Sequence, residues 1–519
     1  MIVDFPPTPM SEQNLKYDVI VIGSGIGGLT AALVLAKNGF KVAVLEKNHQ
    51  IGGALQVFSR DKRIFDTGVH YIGGLDEGEN LYKIYKYLEI YDDLKLVRMD
   101  EAFDIIRLPN GKVFRQGQGY EAFTRMLLED FPEEAAAIHT FVAKIQEVCT
   151  YFPLYNMRLE GEKTYYSHPE ILAIGAWDYL VGLTGNNELI AALLGNGILY
   201  AGDRKRTPLY VVALILNSYI KGSYRLADGG AQLTKALVKQ LRKHGGELFK
   251  RKEVVAGIKR EDGNLKAVVC TDGTAYEATH FISNLHPSRT MEVIGHEHFM
   301  PATIRRVSSL KNTVASFVVN IALKENTFLY NNHNYYDFFT ENVWDTADYD
   351  AENWPQVIFS CTSASSKQTE YAESLSAMVY LKIDEFEKWN TTFNTIARPA
   401  ERGMEYEQAK TLFEEKVINR LCERYPGLRE AIRHVYSSTP LTFRDYLGTP
   451  EGEMYGIEKD FNNPMLTIIN PRTKIPNLYL TGQNIVFHGI LGATIGALVT
   501  SFNFVNGTEI VSQINSYKS

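Results

Sequence analysis

Cysteine is scarce in this chain. Its 519 residues hold four, Cys149, Cys270, Cys361 and Cys422, far apart, with no CxxC pair and no histidine at ligand spacing. A zinc site and a disulfide framework are both excluded as organising principles, no metal ligands are expected, and the usage fits a reducing compartment. Positive charge is not in excess either: 54 Lys and Arg stand against 61 Asp and Glu, a net charge of −7. Nucleic acid is therefore not an expected partner. Long apolar runs are missing as well. Residues 485–507 carry no Asp, Glu, Lys or Arg, but Gly489, Gly492, Gly496 and Asn503 interrupt them. A membrane span needs ~20 mostly apolar residues, so a buried helix of a large domain is the better reading. Residues 1–16 lack a basic start and an apolar stretch, and read as a Pro-containing tail and not a signal peptide. The expected location is cytoplasmic, with peripheral contact at a membrane left open. No Ser-His-Asp arrangement, HExxH or GxxxxGK[ST] stands out, so hydrolase and NTPase readings lack support.

Glycine and aromatics are abundant instead: 40 Gly, 30 Tyr and 26 Phe. The glycines concentrate first behind an apolar β-branched run, YDVIVI (17–22), the pattern of a buried parallel strand. There follow Gly23, Gly25, Ile26, Gly27 and Gly28, a helical stretch ending near Gly39, and a second strand, KVAVL, closed by Glu46. This is a complete βαβ unit with a dinucleotide fingerprint. Gly23 permits the tight turn, Gly25 lets backbone amides approach a pyrophosphate, and Gly28 lets helix and strand pack closely. The helix N-terminus offers unpaired N–H groups and partial positive charge to the phosphates. Glu46 stands where a carboxylate accepts hydrogen bonds from both ribose hydroxyls and repels a 2′-phosphate, with Lys47 beside it.

The segment after Glu46 runs through Gly52, Gly53 and Ala54 into FSRDKRIFDTGVHYIGG, and the C-terminal region reads NLYLTGQNIVFHGILGATIGALVTSF. These segments, with GSGIGGLTAALVLAKNGFKVAVLEKNHQIGG, resemble the phytoene desaturase, carotenoid isomerase and retinol saturase superfamily of FAD-dependent oxidoreductases, the retinol saturases most strongly. The resemblance implies an α/β fold: a glutathione-reductase-like, Rossmann-type FAD-binding domain interleaved with an α+β substrate domain. The expected division is 17–105, 225–295 and 460–519 for FAD, and 106–224 and 296–459 for substrate. It further implies noncovalent FAD with Gly52, Gly53 and Arg60 or Arg63 near the phosphates, and Asp66 and Gly68 near the isoalloxazine. Val254 would meet adenine through its backbone, and Asn284 would end a return strand. Gly482 and Gln483 stand where the family commonly has Gly-Asp on the ribityl chain. Leu491, Gly492 and Ala493 would begin a helix facing the flavin pyrimidine ring. Outside these segments the similarity is one of length and order.

The other half of the chain speaks through aromatics. Phe152, Tyr155, Tyr165, Tyr166, Trp177 and Tyr179 crowd one stretch; Phe328, Tyr330, Tyr335, Tyr336, Phe338, Phe339 and Trp344 crowd another. They are candidate walls for a long apolar ligand. His70, Tyr71 and His488 are the candidate catalytic residues, expected to face the flavin. The activity expected is saturation or desaturation of C=C bonds in a retinoid, carotenoid or related apolar lipid. Alternatives are a flavin-dependent carotenoid cis-trans isomerase, a flavin amine oxidase and a non-catalytic isoprenoid-binding escort protein. Gly182–Gly185 and Gly195–Gly197 fail the strand-turn-helix context of a second nucleotide site, so NAD(P)H enters only as a candidate diffusing reductant. Oligomeric state is not encoded in any of these motifs.

Overall fold

The structure, a computed structural model, describes residues 16–159, 166–367 and 370–517. Most of the N-terminal tail (1–15) and Tyr165 lie outside the described residues. Two seven-stranded sheets organise the rest. The first is built from strands Glu247–Lys250, Val42–Glu46, Lys16–Ile22 and Ala275–Ser283, mutually parallel, with Leu478–Leu480 also parallel on the last of these. An antiparallel pair, Leu265–Cys270 and Val254–Lys259, completes it. Residues Val19, Ile20 and Val21 are fully buried, as befits a central strand covered on both faces.

Register decides where a ligand goes. Ile22 lies opposite Leu45 and Ser283, and Ser283 opposite Leu480. Four strands therefore end at one level, and the loops after them open together at the carboxyl edge of the sheet, the usual ligand crevice of open α/β sheets. The helix Ile26–Lys37 follows the first of these loops and is buried nearly all round, packed between the helices Gly489–Ser501 and Ala231–Lys243. It stops where Asn38 caps it and Gly39 adopts φ +86°.

The second sheet runs Ile432–Ser438, Ser316–Leu323, Ser374–Tyr380, Val357–Thr362, Asn334–Phe338, Ala102–Arg107, Val113–Gly117. Its strands are antiparallel except that Asn334–Phe338 and Ala102–Arg107 run parallel. Ala102–Arg107 lies wholly in this sheet, so the chain crosses from the first sheet before residue 102. Helices between 120 and 220 cover the end of the second sheet. Among them Leu209–Ile220 is almost entirely buried and packs on Ala135–Thr150. Among the described residues no helix is long and apolar enough to cross a membrane; the C-terminal glycine-rich segment forms a 13-residue helix, Gly489–Ser501.

Candidate dinucleotide and substrate cavity

The turn after Ile22 is as tight as its glycines allow. A Cβ on Gly28 would stand 2.1 Å from the Gly23 carbonyl oxygen, and one on Gly27 would stand 2.6 Å from Gly482 Cα. Gly482, at φ +91°, is itself pressed on Asn284, whose Oδ1 would lie 2.4 Å from an added Cβ. Asn284 thus fills the space between the first loop and the loop after Leu480. The helix Ile26–Lys37 begins at Gly25 with no capping side chain and no acid in its first turn. Its amide N–H groups are left for an anion.

Glu46 is buried and engaged before any ligand arrives. Its Oε2 accepts from the Ser24 amide (3.1 Å) and hydroxyl (2.5 Å), and its Oε1 from the Asn48 amide at 2.8 Å. The Ser24 hydroxyl accepts in turn from the Gly52 amide at 3.1 Å. A carboxylate offers about four acceptor sites, so roughly one stays free for a ribose hydroxyl, not the two expected from sequence. Beside it the Lys47 ammonium donates to the Asp445 carbonyl at 2.8 Å, and burial lowers its pKa. The Asn48 amide group donates to the Tyr446 carbonyl at 3.0 Å. The helix Pro440–Leu447 is held over the loop by these two bonds. It is anchored from behind by Asp445, which accepts from Arg402, Arg444 and the Asn394 amide.

One cavity of about 370 Å³ runs from this loop into the second half of the molecule. Of the residues expected at a cofactor, Gly23, Gly25, Ile26, Gly27, Glu46, Lys47, Gly52, Gly53, Ala54, Gly68, Val254, Asn284, Gln483, Leu491, Gly492 and Ala493 line it. Four do not. Gly28 and Gly482 are packing positions, as their contacts above require. Arg63 points away: its Nε and NH2 donate to the carbonyls of Glu373 (3.0 Å) and Leu323 (2.6 Å), tying the Arg63–Asp66 strand to the second sheet. Asp66 accepts from the Gly230 amide at 2.7 Å, and burial raises its carboxyl to about 7. Arg60 bonds only its neighbour's carbonyl and is exposed. Arg289, Lys252 and Ser24 line the cavity and were not singled out from the sequence. Only Ser24 had a local signal, its place inside the glycine loop.

At mid-cavity the helix Gly489–Ser501 begins at His488, again without a capping side chain or an early acid. Several buried polar atoms on the wall have no partner: Thr449 Oγ1, Glu453 Oε1, Thr481 Oγ1 and His488 Nδ1. Ordered water or a ligand in the cavity would complete them. Two uncapped helix starts, a glycine loop at one end and unpartnered polar atoms between them suit an elongated dinucleotide carrying a polar-edged ring.

The far end is apolar. Tyr155, Leu199, Leu214, Tyr219, Phe359 and Met378 line it together with His70 and Tyr71. Here the aromatic expectation needs correcting. Among the described aromatics of those two crowded stretches, only Tyr155 reaches this wall. Phe152 sits behind it against Phe487, Trp177 and Trp344 pack together, and Tyr335 packs on Tyr425. The wall comes from the helix Leu209–Ile220 and strands of the second sheet.

His70, Tyr71 and His488 do converge on the cavity. Burial, reinforced by Arg225, lowers His70 to about 4. Burial lowers His488 to about 3, and its Nε2 faces the Ile457 carbonyl at 3.3 Å. Both imidazoles are neutral near pH 7 and cannot donate as imidazolium. The Tyr71 hydroxyl donates to Asp104 Oδ2 at 3.0 Å and lies 2.7 Å from the Tyr336 hydroxyl.

Sheet order, glycine loop and interrupted chain path together define a mixed α/β protein with a Rossmann-type dinucleotide fold. A family model described as an NAD(P)-binding Rossmann-like domain matches residues 21–88. Among curated proteins, the all-trans-retinol 13,14-reductase of Homo sapiens is 28% identical over 94% of this chain and 85% of its own length. Prolycopene isomerase 2 of an Oncidium hybrid cultivar is 24% identical over 91% of this chain and 81% of its own. Among solved structures, an oxidoreductase from Methanosarcina mazei superposes with a TM-score of 0.63 at 15% identity, covering 93% of this chain and 99% of that one. The chain is thus similar over most of its length to retinol 13,14-reductases and, at lower identity, to prolycopene isomerases.

Proposed function

We propose that this protein is an FAD-dependent oxidoreductase acting on a C=C bond of a retinoid, carotenoid or related apolar lipid, in the manner of the retinol 13,14-reductases. The observation that carries the reading is the single cavity joining a dinucleotide loop at Gly23–Gly28 to an apolar chamber at Tyr219 and Phe359. The length-wide similarity to a retinol reductase supports it.

When bound, reduced flavin supplies a hydride equivalent beside the substrate double bond. The chain does the rest. Glu46 and Ser24 hold the loop whose amides meet the pyrophosphate, and Asn284 and Gly482 fix its distance from the C-terminal helix. The start of Gly489–Ser501 presents positive partial charge to the ring edge that becomes electron-rich on reduction. The apolar chamber aligns a polyene and keeps water from competing. Reducing equivalents would reach the cofactor from a diffusing donor such as NAD(P)H. Peripheral contact with a membrane would give apolar cargo a way in.

The similarity to a prolycopene isomerase keeps one second reading in play, isomerisation with no net reduction. Mass spectrometry of products separates the two. Protein reduced under nitrogen and mixed with all-trans-retinol or a carotenoid should yield a product two hydrogens heavier. A product of unchanged mass supports the isomerase, and protein that releases no FAD on denaturation refutes both.

A further inference from the structure

Saturating a C=C bond takes a hydride and a proton, and burial keeps all three histidines on the wall, His70, His286 and His488, from being imidazolium near pH 7. A carboxyl that serves no other role in the site lies one side chain behind it. Asp104, on the strand Ala102–Arg107, is fully buried. Its Oδ1 accepts from Asn334 Nδ2 at 2.8 Å and its Oδ2 from the Tyr71 hydroxyl at 3.0 Å, with Asn196 Nδ2 farther off at 3.5 Å. All three partners are neutral. Arg225 is close enough to be felt, but its guanidinium is bonded to the His333 carbonyl (2.8 Å) and Asn334 Oδ1 (2.9 Å). The remaining titratable groups around the carboxyl are Tyr336, Tyr219 and Cys361, all held protonated by burial. The hydrogen bonds donated to it favour the carboxylate, but burial outweighs them and raises Asp104 to about 7.

Resting on the C=C reductase reading, we propose that Asp104 is the proton reservoir of the site and feeds the cavity through the hydroxyl of Tyr71. Protonated Asp104 donates to the Tyr71 oxygen, which reverses the bond and frees the Tyr71 proton to face the substrate. One alkene carbon takes the hydride from reduced flavin, and its neighbour takes the proton from Tyr71. Tyr71 recovers a proton from Asp104, leaving the carboxylate that accepts from Tyr71 and Asn334. Two electrons and two hydrogens enter the substrate; Asp104 regains its proton from solvent at product release. Desaturation runs the same path backwards, with Asp104 as acceptor. Asp104 is a positioning and proton-storing residue here, and Tyr71 is the group that meets substrate.

A buried polar cluster can also serve only to fix register, since Asp104 pairs with Asn334 across two strands. Asp104→Asn separates the roles, because it keeps size and hydrogen-bonding capacity. Infrared difference spectra between about pH 6 and 8 should show titrating C=O bands of buried carboxylic acids, and Asp104→Asn should lose one of them while those of Asp66, Glu453 and Glu458 remain. In anaerobic reoxidation by a polyene, the wild-type rate should fall above about pH 7. The Asp104→Asn rate should be about 100-fold lower at pH 6 and flat to pH 8, the size of a general-acid contribution, with flavin content unchanged. If Asp104→Asn does not fold, Tyr71→Phe must lose the same rate while keeping the carboxyl band. An identical infrared titration with and without Asp104, or a wild-type rate and pH profile in Asp104→Asn, overturns the proposal. Failure of every polyene to reoxidise the wild type refutes the reductase reading, while the infrared titration still decides whether Asp104 stores the proton.

Discussion

Gly25 and Gly28 stand three residues apart in one loop, yet alanine at each should fail in different ways. An ideal Cβ on Gly28 lies 2.1 Å from the Gly23 carbonyl oxygen and 3.2 Å from Asn284 Cβ. Contacts below 3.0 Å essentially never occur at a real Cβ, so helix and strand would have to separate by about an ångström. Overpacking of that kind costs about 1–3 kcal/mol. The better helix propensity of alanine offsets up to about 1 kcal/mol. The net loss is about 1–2 kcal/mol, read as a drop in thermal midpoint on the order of 2 °C for a chain of this length. Gly25 has an ordinary φ of −63°, and a Cβ there meets only the movable Asn284 Nδ2, at 2.8 Å. Its remaining surroundings are the cavity where the phosphates would lie. Gly25→Ala should therefore melt within about 1 kcal/mol of the wild type while retaining less than about a tenth of its dinucleotide, a loss of 1.4 kcal/mol or more in binding. The assay is scanning calorimetry of cofactor-stripped protein beside the flavin-to-protein absorbance ratio. Full occupancy in Gly25→Ala would refute the placement of the pyrophosphate against this loop.

Other consequences are as direct. Glu46→Arg removes the acceptor of three loop bonds and puts a cation where the ribose should lie; the expected result is at least about 10-fold less bound FAD, and unchanged occupancy contradicts the ribose role. Asp445→Ala leaves Arg402 and Arg444 without their buried partner; a loss of about 3–5 kcal/mol in urea unfolding is expected, with faster cofactor release as Pro440–Leu447 comes loose. His70 and His488 have depressed pKa values and stay neutral down to about 4 and about 3, so His70→Asn and His488→Asn should leave the fall in rate near pH 7 in place. That same fall is the one Asp104→Asn should abolish. The raised pKa of Asp104 has a stability consequence of definite sign. The folded state holds a proton that the unfolded chain releases above about 4, so this group's contribution weakens as pH rises from about 4 to about 7. Asp104→Asn should flatten that slope in thermal midpoints.

The cofactor end was legible in the sequence because its determinants are local. Turn, helix start and acid all fall within residues 23–46, and each glycine has a steric task that no other residue meets. The return of Asn284 and Gln483 to the same loop was readable only through resemblance, since parallel strand neighbours hundreds of residues apart leave no periodic trace. The chamber was misread for a related reason. Aromatic density says that side chains are buried, not against what, and Trp344 and Phe152 went to the core while Leu214, Tyr219 and Phe359 took the wall. Resemblance set Arg60 or Arg63 near the phosphates, but backbone carbonyls of a strand edge claimed Arg63. Asp104 gave no signal, being one charged residue in a strand; its meaning comes from Asn334, placed opposite it by strand register.

Anaerobic stopped-flow mixing of reduced protein with all-trans-retinol and a carotenoid tests the account at its centre. It requires reoxidation of the bound flavin at a rate set by polyene concentration, with one equivalent of a product two hydrogens heavier. Flavin that stays reduced with every polyene, or that is reoxidised only by oxygen while the protein turns amines into peroxide, would contradict it.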